Sequence, residues 1–577
     1  MRRMIWAVAA GSSLGGALAF VCAIAASAPT LSLAAAMRPV AAPAPAIVKP
    51  VRACDTLKSI DLTAIGGAGS RIDSAAEAKD GAIAVCAVEG ALAPAVKFKV
   101  ELPVSTWTRR YLQLGCGGLC GHVDINVGAA DGCAPMDAGG FALATTDMGH
   151  EGMSGAFGRD PKARVDFAYR AVHVTAEAAK TLIRAYYGRA QTTSYFDGCS
   201  DGGREALIEA QRFPRDFNGI VAGAEAMNFQ VQNSFYHGWQ SVSNTGLDGK
   251  AILIAPRLAI LHKSALAQCG ADDGVVVDPL TCRVDPAKAQ CAASAPDGGP
   301  DCLSAAEVAA ARRLYDGPRD ATTGLRLTVG GPLPGSELNW AGVFVPGAAD
   351  QPIFSTMIAL DALKNMTFEI NPPDDYTLKD LRFDTATFNL LRPRHPLFDA
   401  TNPDLSAFAR AGGKLIIWHG LADQHISPLN SIAYHQAVRR LMGEGAAQAF
   451  ERLYLFPGVA HCGGGDGPSS IDLLTPMLNW VERGAAPDAI VADLPKPKAN
   501  AAFGQPTGGG GPPGVAPANT QPTRARVIFP YPAVATYDGH GDPRQAASYA
   551  RTAAKAALDL SGWAGADFYR PYAARQN

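Results

Sequence analysis

Thr192-Thr193-Ser194-Tyr195-Phe196-Asp197-Gly198-Cys199-Ser200-Asp201-Gly202-Gly203-Arg204-Glu205-Ala206 is the stretch on which the fold turns. Thr192 to Phe196 is β-prone, and Gly203 to Phe213 reads as a helix that stops at Pro214. Between them Gly198-Cys199-Ser200-Asp201-Gly202 matches G-x-S-x-G, the pattern of a serine held on a sharp strand-to-helix turn. Glycines flank such a serine because a Cβ there collides with the neighbouring strand and helix. The helix that follows points its first N–H groups at a developing oxyanion. The bare pattern is weak, since Gly11-Ser12-Ser13-Leu14-Gly15 fits it too, with no strand before it. Context singles out Ser200: strand, turn, then a helix with Ala206, Ala210 and Phe213 on one side and Arg204, Glu205, Glu209 and Arg212 as its charges.

Outward from that turn the same rhythm continues. Val96 to Val100 alternates, Tyr111 to Leu114 is strand-like, and Phe141 to Thr146 reads as a buried strand. Phe167 to Tyr187 carries Val172, Ala176, Ala179 and Ile183 at helical spacing, and Ile220 to Ala222 is another buried strand. Strand and helix in alternation predict an α/β fold with a mostly parallel sheet. Residues 226–394 break the rhythm: Cys269, Cys282, Cys291 and Cys302 crowd together amid Pro and Gly, as in an inserted lid domain. The rhythm returns at Lys414 to Trp418 and Leu453 to Leu455. The expected organisation is a signal peptide over 1–36, a lobe and first half of the core over 37–225, the lid over 226–394, the second half of the core over 395–550 and a tail over 551–577. Gly508 to Pro517 is low-complexity, and the portion from Arg524 is expected to wrap the core.

The 577 residues are too many for one small core, and 48% hydrophobic with 18% charged residues excludes a disordered chain. A net charge of -2 offers no nucleic-acid footprint. Arg2 and Arg3, the apolar run Met4 to Ala26 and Ala34-Ala35-Ala36 read as a cleavable signal, so the protein is expected to be secreted or periplasmic, with no stable membrane span afterwards. Cys22 lies in that leader, which leaves eleven of the twelve cysteines to form disulfides, with at least one left over.

A serine of this type needs a base and a group that orients the base, in the order Ser, Asp, His. Strand Lys414 to Trp418 runs into His419-Gly420-Leu421-Ala422-Asp423, and Leu453 to Leu455 runs into Phe456-Pro457-Gly458-Val459-Ala460-His461. Both exits lie where the carboxyl ends of parallel strands open onto a site. Asp423 and His461 are therefore preferred over His419, His425, Asp197 and Asp201, which flank the candidates. Cys199 precedes Ser200 and Cys462 follows His461. A base bonded to its nucleophile brings these two cysteines within disulfide range, so a Cys199–Cys462 bridge is expected. The oxyanion donors are expected from the N–H of Asp201 and from Gly117 or Gly118 in Cys116-Gly117-Gly118-Leu119-Cys120-Gly121. Phe229, Phe235, Tyr236, Trp239, Trp340 and Phe344 either grip a ring or form the lid's own small core, and the second reading is preferred.

Cys-Ser at 199–200, Trp418-His419-Gly420 ahead of Asp423, and His-Cys at 461–462 together resemble the tannase and feruloyl esterase family. Pro530-Tyr531-Pro532 with Tyr537 and Gly539, and Cys302-Leu303-Ser304 before Ala305 to Tyr315, look like that family's C-terminal signature and lid helix. The resemblance implies an α/β-hydrolase core, a substrate-selecting lid, and a serine esterase acting on small aromatic esters of the feruloyl, galloyl or terephthaloyl kind. A peptidase on the same scaffold and a catalytically silent binding protein are the alternatives. It also implies bridges Cys54–Cys86, Cys269–Cys282 and Cys291–Cys302 besides Cys199–Cys462, leaving Cys116, Cys120 and Cys133, of which two are free to pair. No cofactor is expected. The family's calcium loop has the form Asp-x-x-Asp-Gly-x-x-Asp-Gly, whereas this chain reads Gly270-Ala271-Asp272-Asp273-Gly274-Val275, so a weakened or lost calcium site is expected. Phe529 and Ala550 stand where the family often has a further cysteine pair.

Overall fold

Strand runs buried on both faces can only be central strands of a covered sheet, and the short apolar runs of this chain are of that kind. In the computed structural model, which describes residues 46–294, 296–495, 523–553 and 558–575, nine strands form one sheet. They are β1 (Arg71–Asp80), β2 (Ile83–Leu92), β3 (Val96–Pro103), β4 (Arg110–Leu114), β5 (Phe141–Thr146), β6 (Thr193–Cys199), β7 (Gly219–Gly223), β8 (Lys414–Gly420) and β9 (Glu451–Phe456). Their order is β1-β2-β3-β5-β4-β6-β7-β8-β9. From β5 to β9 every pair is parallel, and β1, β2 and β3 add an antiparallel edge. This is the mostly parallel sheet of an α/β-hydrolase. The antiparallel edge was not foreseen from residues 71–92: β1 is exposed at almost every position, so its residues carry no apolar alternation.

Side chains of successive residues point to opposite faces of the sheet, and each face has its own core. Leu415 and Ile417 of β8 join one cluster with Phe196 and Ile220, while Ile416 and Trp418 join the other with Tyr195 and Val221. Helix α1 (Ala171–Tyr187) buries Val172, Ala176, Ala179 and Ile183 as their spacing predicts, and begins after a π-turn at Asp166–Arg170. Helix α2 (Asp201–Arg212) follows the elbow. Its charges are not a solvated face, because Arg204, Glu205 and Glu209 are all fully buried.

Residues 226–394 leave after β7, return before β8 and contribute no strand to the nine-stranded sheet. Part of this segment has its own small core, in which Trp340 and Phe344 pack on α3 (Leu258–Cys269) and α4 (Ala305–Asp316). A capping box between Ser304 and Glu307 starts α4. Phe229 and Phe235 instead belong to the main core, and the residues from Ala46 on form one compact unit. Past β9, α5 (Leu429–Met442) having preceded it, α6 (Leu474–Arg483) covers the sheet. Ser470–Ile471, Ile490–Asp493 and Arg526–Ile528 then make a small antiparallel sheet. The portion expected as a tail is partly structural: Trp563, Phe568 and Tyr569 are buried in the main core.

All four expected disulfides are present, and Cys116–Cys120 is a fifth. Cys133 is left as a buried thiol. Among the described residues no helix is long and apolar enough to cross a membrane. The expected signal peptide at 1–36 and the low-complexity run at 508–517 lie outside the described residues.

Candidate active site

The elbow forms because three glycines permit a close crossing. A Cβ on Gly198 would lie 2.4 Å from the Gly202 carbonyl, one on Gly202 2.9 Å from the Cys116 carbonyl, and one on Gly203 2.4 Å from the Gly223 carbonyl. Ser200 adopts φ 66°, a strained conformation for a residue with a side chain, as a serine lifted out of its strand must. Its N–H donates to Gly223 and its carbonyl accepts from Ala226 and Arg204, which locks the turn to β7 and α2. The side chain stays half-buried, and helix α2 starts at the next residue.

Asp423 and His461 come from the two neighbouring strand ends, β8 and β9. Asp423 Oδ2 lies 2.7 Å from His461 Nδ1, while its Oδ1 accepts the N–H groups of His425 at 2.7 Å and Ile426 at 2.9 Å. Burial opposes the charge on Asp423, yet the imidazoles of His461 and His419 hold its carboxyl well below the usual range. Cys199 and Cys462 are bridged with Cα atoms 5.9 Å apart, which ties the residue before Ser200 to the residue after His461. Ser200 and His461 line one cavity of about 560 Å³ together with Asp201, Gly117 and Gly118.

His419 also reaches Asp423, with Nε2 3.0 Å from Oδ2. It is fully buried and does not line the cavity, which separates it from His461. His425 does line the cavity, 4.8 Å from the His461 ring, and burial pushes its imidazole well below its ordinary range. His237 is pushed down to about 3, first by burial and then by the charge on His461. Both rings are therefore neutral in this wall at ordinary pH.

The loop after β4 carries the second expected oxyanion group. Cys116–Cys120 closes it, and Cys120 N–H donates to Gly117 O at 3.0 Å. Glu205 Oε1 lies 2.8 Å from Cys116 Sγ and 3.4 Å from the Cys116 N–H. A bridged sulfur has no proton to give, so the donor to Glu205 Oε1 there is the Cys116 N–H. Burial, and then the charge on Asp201, raise the Glu205 carboxyl well above the usual range. Asp201 itself pairs with Arg204 at 2.6 and 2.9 Å, and Arg204 donates onward to the carbonyls of Phe167 and Ala168.

Asn233, His122, Asp124, Met153, Phe354 and Ile358 also line the cavity and were not foreseen, because nothing in their local sequence distinguishes them. Of the six aromatic residues singled out in 226–394, Phe229 lines the cavity, whereas Trp340 and Phe344 serve the small core of that segment. The two carboxylates of the shortened loop are taken up by this chain's own donors. Asp272 faces the guanidinium groups of Arg524 and Arg526, and Asp273 accepts from the N–H groups of Thr523 and Arg524. Carboxylates paired in this way are not open ligands for a cation that takes six to eight oxygens.

A sequence model of the family "Tannase and feruloyl esterase" matches residues 81–552. Mono(2-hydroxyethyl) terephthalate hydrolase of Piscinibacter sakaiensis is 31% identical, over 81% of this chain and 84% of its own. A probable feruloyl esterase of Arthroderma benhamiae is 32% identical, over 69% of this chain and 75% of its own. Among solved structures, feruloyl esterase B from Aspergillus oryzae superposes with a TM-score of 0.71 at 24% identity, covering 87% of this chain and 100% of its own.

Proposed function

Because the chain belongs to the tannase and feruloyl esterase family, we propose that this esterase is a serine carboxylic ester hydrolase that cleaves small aromatic esters through an acyl-enzyme. The observation that carries the reading is the joint placement of Ser200 and His461 on one cavity, with Asp423 2.7 Å behind His461. Ser200 Oγ attacks the ester carbonyl carbon as His461 takes its proton. Asp423 fixes the tautomer and stabilises the imidazolium. The N–H of Asp201, with that of Gly117 or Gly118, receives the oxyanion. His461 then gives its proton to the leaving alcohol, and water, activated by the same imidazole, releases the acid.

Phe229, Phe354, Ile358 and Ile426 give the cavity an apolar side, and Asn233 and His237 give it neutral polar groups. No Lys or Arg is found among the described residues that line it, and Asp124 stands on its wall. This supports feruloyl-type or galloyl-type esters over the terephthalate monoester, whose free carboxylate would be desolvated there without a cation. Residues 226–394 act as the lid that shapes this side. The five disulfides support export of the mature protein.

The test is hydrolysis of methyl ferulate, methyl gallate, mono(2-hydroxyethyl) terephthalate and a short p-nitrophenyl ester, with Ser200→Ala as the blank. The expected result is turnover of the neutral aromatic esters that vanishes in the blank. Failure of disulfide-intact protein to hydrolyse any of them, or to label at Ser200 with a fluorophosphonate, would overturn the reading.

A further inference from the structure

Behind Asp423 lies a chain of buried polar groups that the reaction above does not use. His419 Nε2 sits 3.0 Å from Asp423 Oδ2 and 3.2 Å from the Ile426 carbonyl. Both are acceptors, so Nε2 carries a proton. On the other side of the ring, His419 Nδ1 is 2.7 Å from Ser431 Oγ, and Ser431 Oγ is 2.6 Å from Glu225 Oε2. Glu225, Ser431 and His419 are all fully buried and none lines the substrate cavity. Glu225 has no second partner on Oε1. It enters from the end of β7, and its Cγ would lie 3.1 Å from a Cβ on Gly203, so the glycine of the elbow makes its room.

Ser431 has one hydroxyl proton to place between two acceptors. If it donates to a Glu225 carboxylate, its oxygen must accept from His419 Nδ1, and His419 is an imidazolium. If it donates to a bare Nδ1, Glu225 must carry a proton to donate to Ser431 Oγ. Both arrangements satisfy the two contacts of Ser431 Oγ, and both hold one proton on the Glu225–His419 pair. Removing that proton leaves a buried acceptor without a donor, which is costly. We propose that Glu225, Ser431 and His419 form a relay behind Asp423 that shares one proton between Glu225 and His419 and so sets how much of the Asp423 charge faces His461.

With His419 neutral, the whole Asp423 charge stabilises the His461 imidazolium; with His419 charged, it is divided between two rings. Burial pushes Glu225 up to about 7, against the opposing pull of His419 and the Ser431 hydroxyl. The other titratable groups facing the relay are Tyr434 on α5, Tyr569 from the C-terminal segment, and His461, His425 and His237 around Asp423. Burial raises both tyrosines and lowers His425 and His237, so all four are neutral near pH 7. Glu225, Ser431 and His419 are positioning residues. Their influence on His461 rests on the serine esterase reading, whereas the shared proton does not.

The relay is tested in the full chain by following the ring nitrogens of His419 by NMR between pH 5 and 9, in protein labelled at histidine and glutamate. In wild type, His419 Nδ1 and the Glu225 carboxyl are expected to shift together with one midpoint. Glu225→Gln, which donates to Ser431 and cannot ionise, is expected to abolish the step at His419. Ser431→Ala, which breaks the bridge and leaves both ends in place, is expected to separate the two midpoints. Superimposable His419 curves in wild type and either variant would overturn the relay. In kinetics, Glu225→Gln is expected to change kcat about threefold to tenfold, the size of one redistributed hydrogen bond, with KM unmoved and the pH profile of kcat/KM shifted. An unchanged profile would overturn the link to His461. Absence of both ester turnover and fluorophosphonate labelling in wild type would instead sink the esterase reading, while the His419 titration still decides the relay.

Discussion

On one wall of the cavity stand Ser200 and His461, with Asp423 behind His461; the three leave the parallel strands β6, β9 and β8 just past their carboxyl ends, held by the continuous register from β6 through β7 to β9 and by the Cys199–Cys462 bridge. On the other, Phe229, Asn233, Phe354 and Ile358 come from residues 226–394, which add no strand to the sheet and are stapled locally by Cys269–Cys282 and Cys291–Cys302. The strand-end wall gets its precision from groups far apart in sequence: Cys199 and Cys462 are 263 positions apart. The facing wall is assembled from short-range devices, its two bridges spanning 13 and 11 positions. On the proposed reading, chemistry that needs fixed geometry sits on the first wall, and the side chains that would meet the acyl group sit largely on the second. Substitutions on the first should therefore act on kcat, and those on the second on stability and KM.

The largest effect is expected at Ser200. Ser200→Ala should remove essentially all turnover, about 10⁶-fold as for a triad nucleophile, with folding unchanged by circular dichroism. Activity close to wild type would show that another residue attacks. Asp423→Asn should lower kcat by about 10⁴, because an amide no longer fixes the His461 tautomer. Here the loss is compounded by His419, whose Nε2 proton also rests on Asp423. Replacing Cys199 and Cys462 together by Ala should lower kcat by about 10² through misplacement of base against nucleophile. Equal loss of stability and activity there would place that bridge with the local staples and erase the contrast between the walls.

What was legible in the sequence follows the same division. The elbow was readable because its glycines, its strand and its helix are contiguous. The meeting of Asp423 and His461 was readable because each follows an apolar strand and their order is fixed. Glu225 was not, since its partner Ser431 lies 206 positions away and a glutamate after a strand carries no local signature. The burial of Arg204, Glu205 and Glu209 was hidden for a related reason: charged side chains on a helix signal solvent until the tertiary partners, Asp201 and the Phe167 and Ala168 carbonyls for Arg204, are known. In 226–394 the aromatic residues were visible but their division was not. Whether Trp340 packs inward and Phe229 faces the cavity depends on contacts that no periodicity encodes.

Two substitutions probe the second wall as a folded unit. Trp340→Ala removes a fully buried ring whose Nε1–H donates to Ser336 Oγ at 2.9 Å, and should cost about 3–5 kcal/mol in chemical denaturation. Loss of Cys291–Cys302, with its separation of 11 positions, should cost about 3 kcal/mol from loop closure alone. Both variants, assayed below their melting range, should retain the wild-type kcat.

The smallest effect tests what that wall does for the substrate. Phe354 meets the His425 ring edge-on at 4.8 Å and the His237 ring at 5.6 Å, and it lines the cavity. Phe354→Ala should raise KM for methyl ferulate about threefold to tenfold, the worth of one ring–ring contact, and leave a short aliphatic ester unaffected. A uniform loss binding ground state and transition state alike appears in KM and not in kcat. If kcat falls instead, and falls equally for aromatic and aliphatic esters, then Phe354 acts through His425, 4.8 Å from the His461 ring. The two walls would then share the work of placing the base, rather than dividing chemistry from recognition.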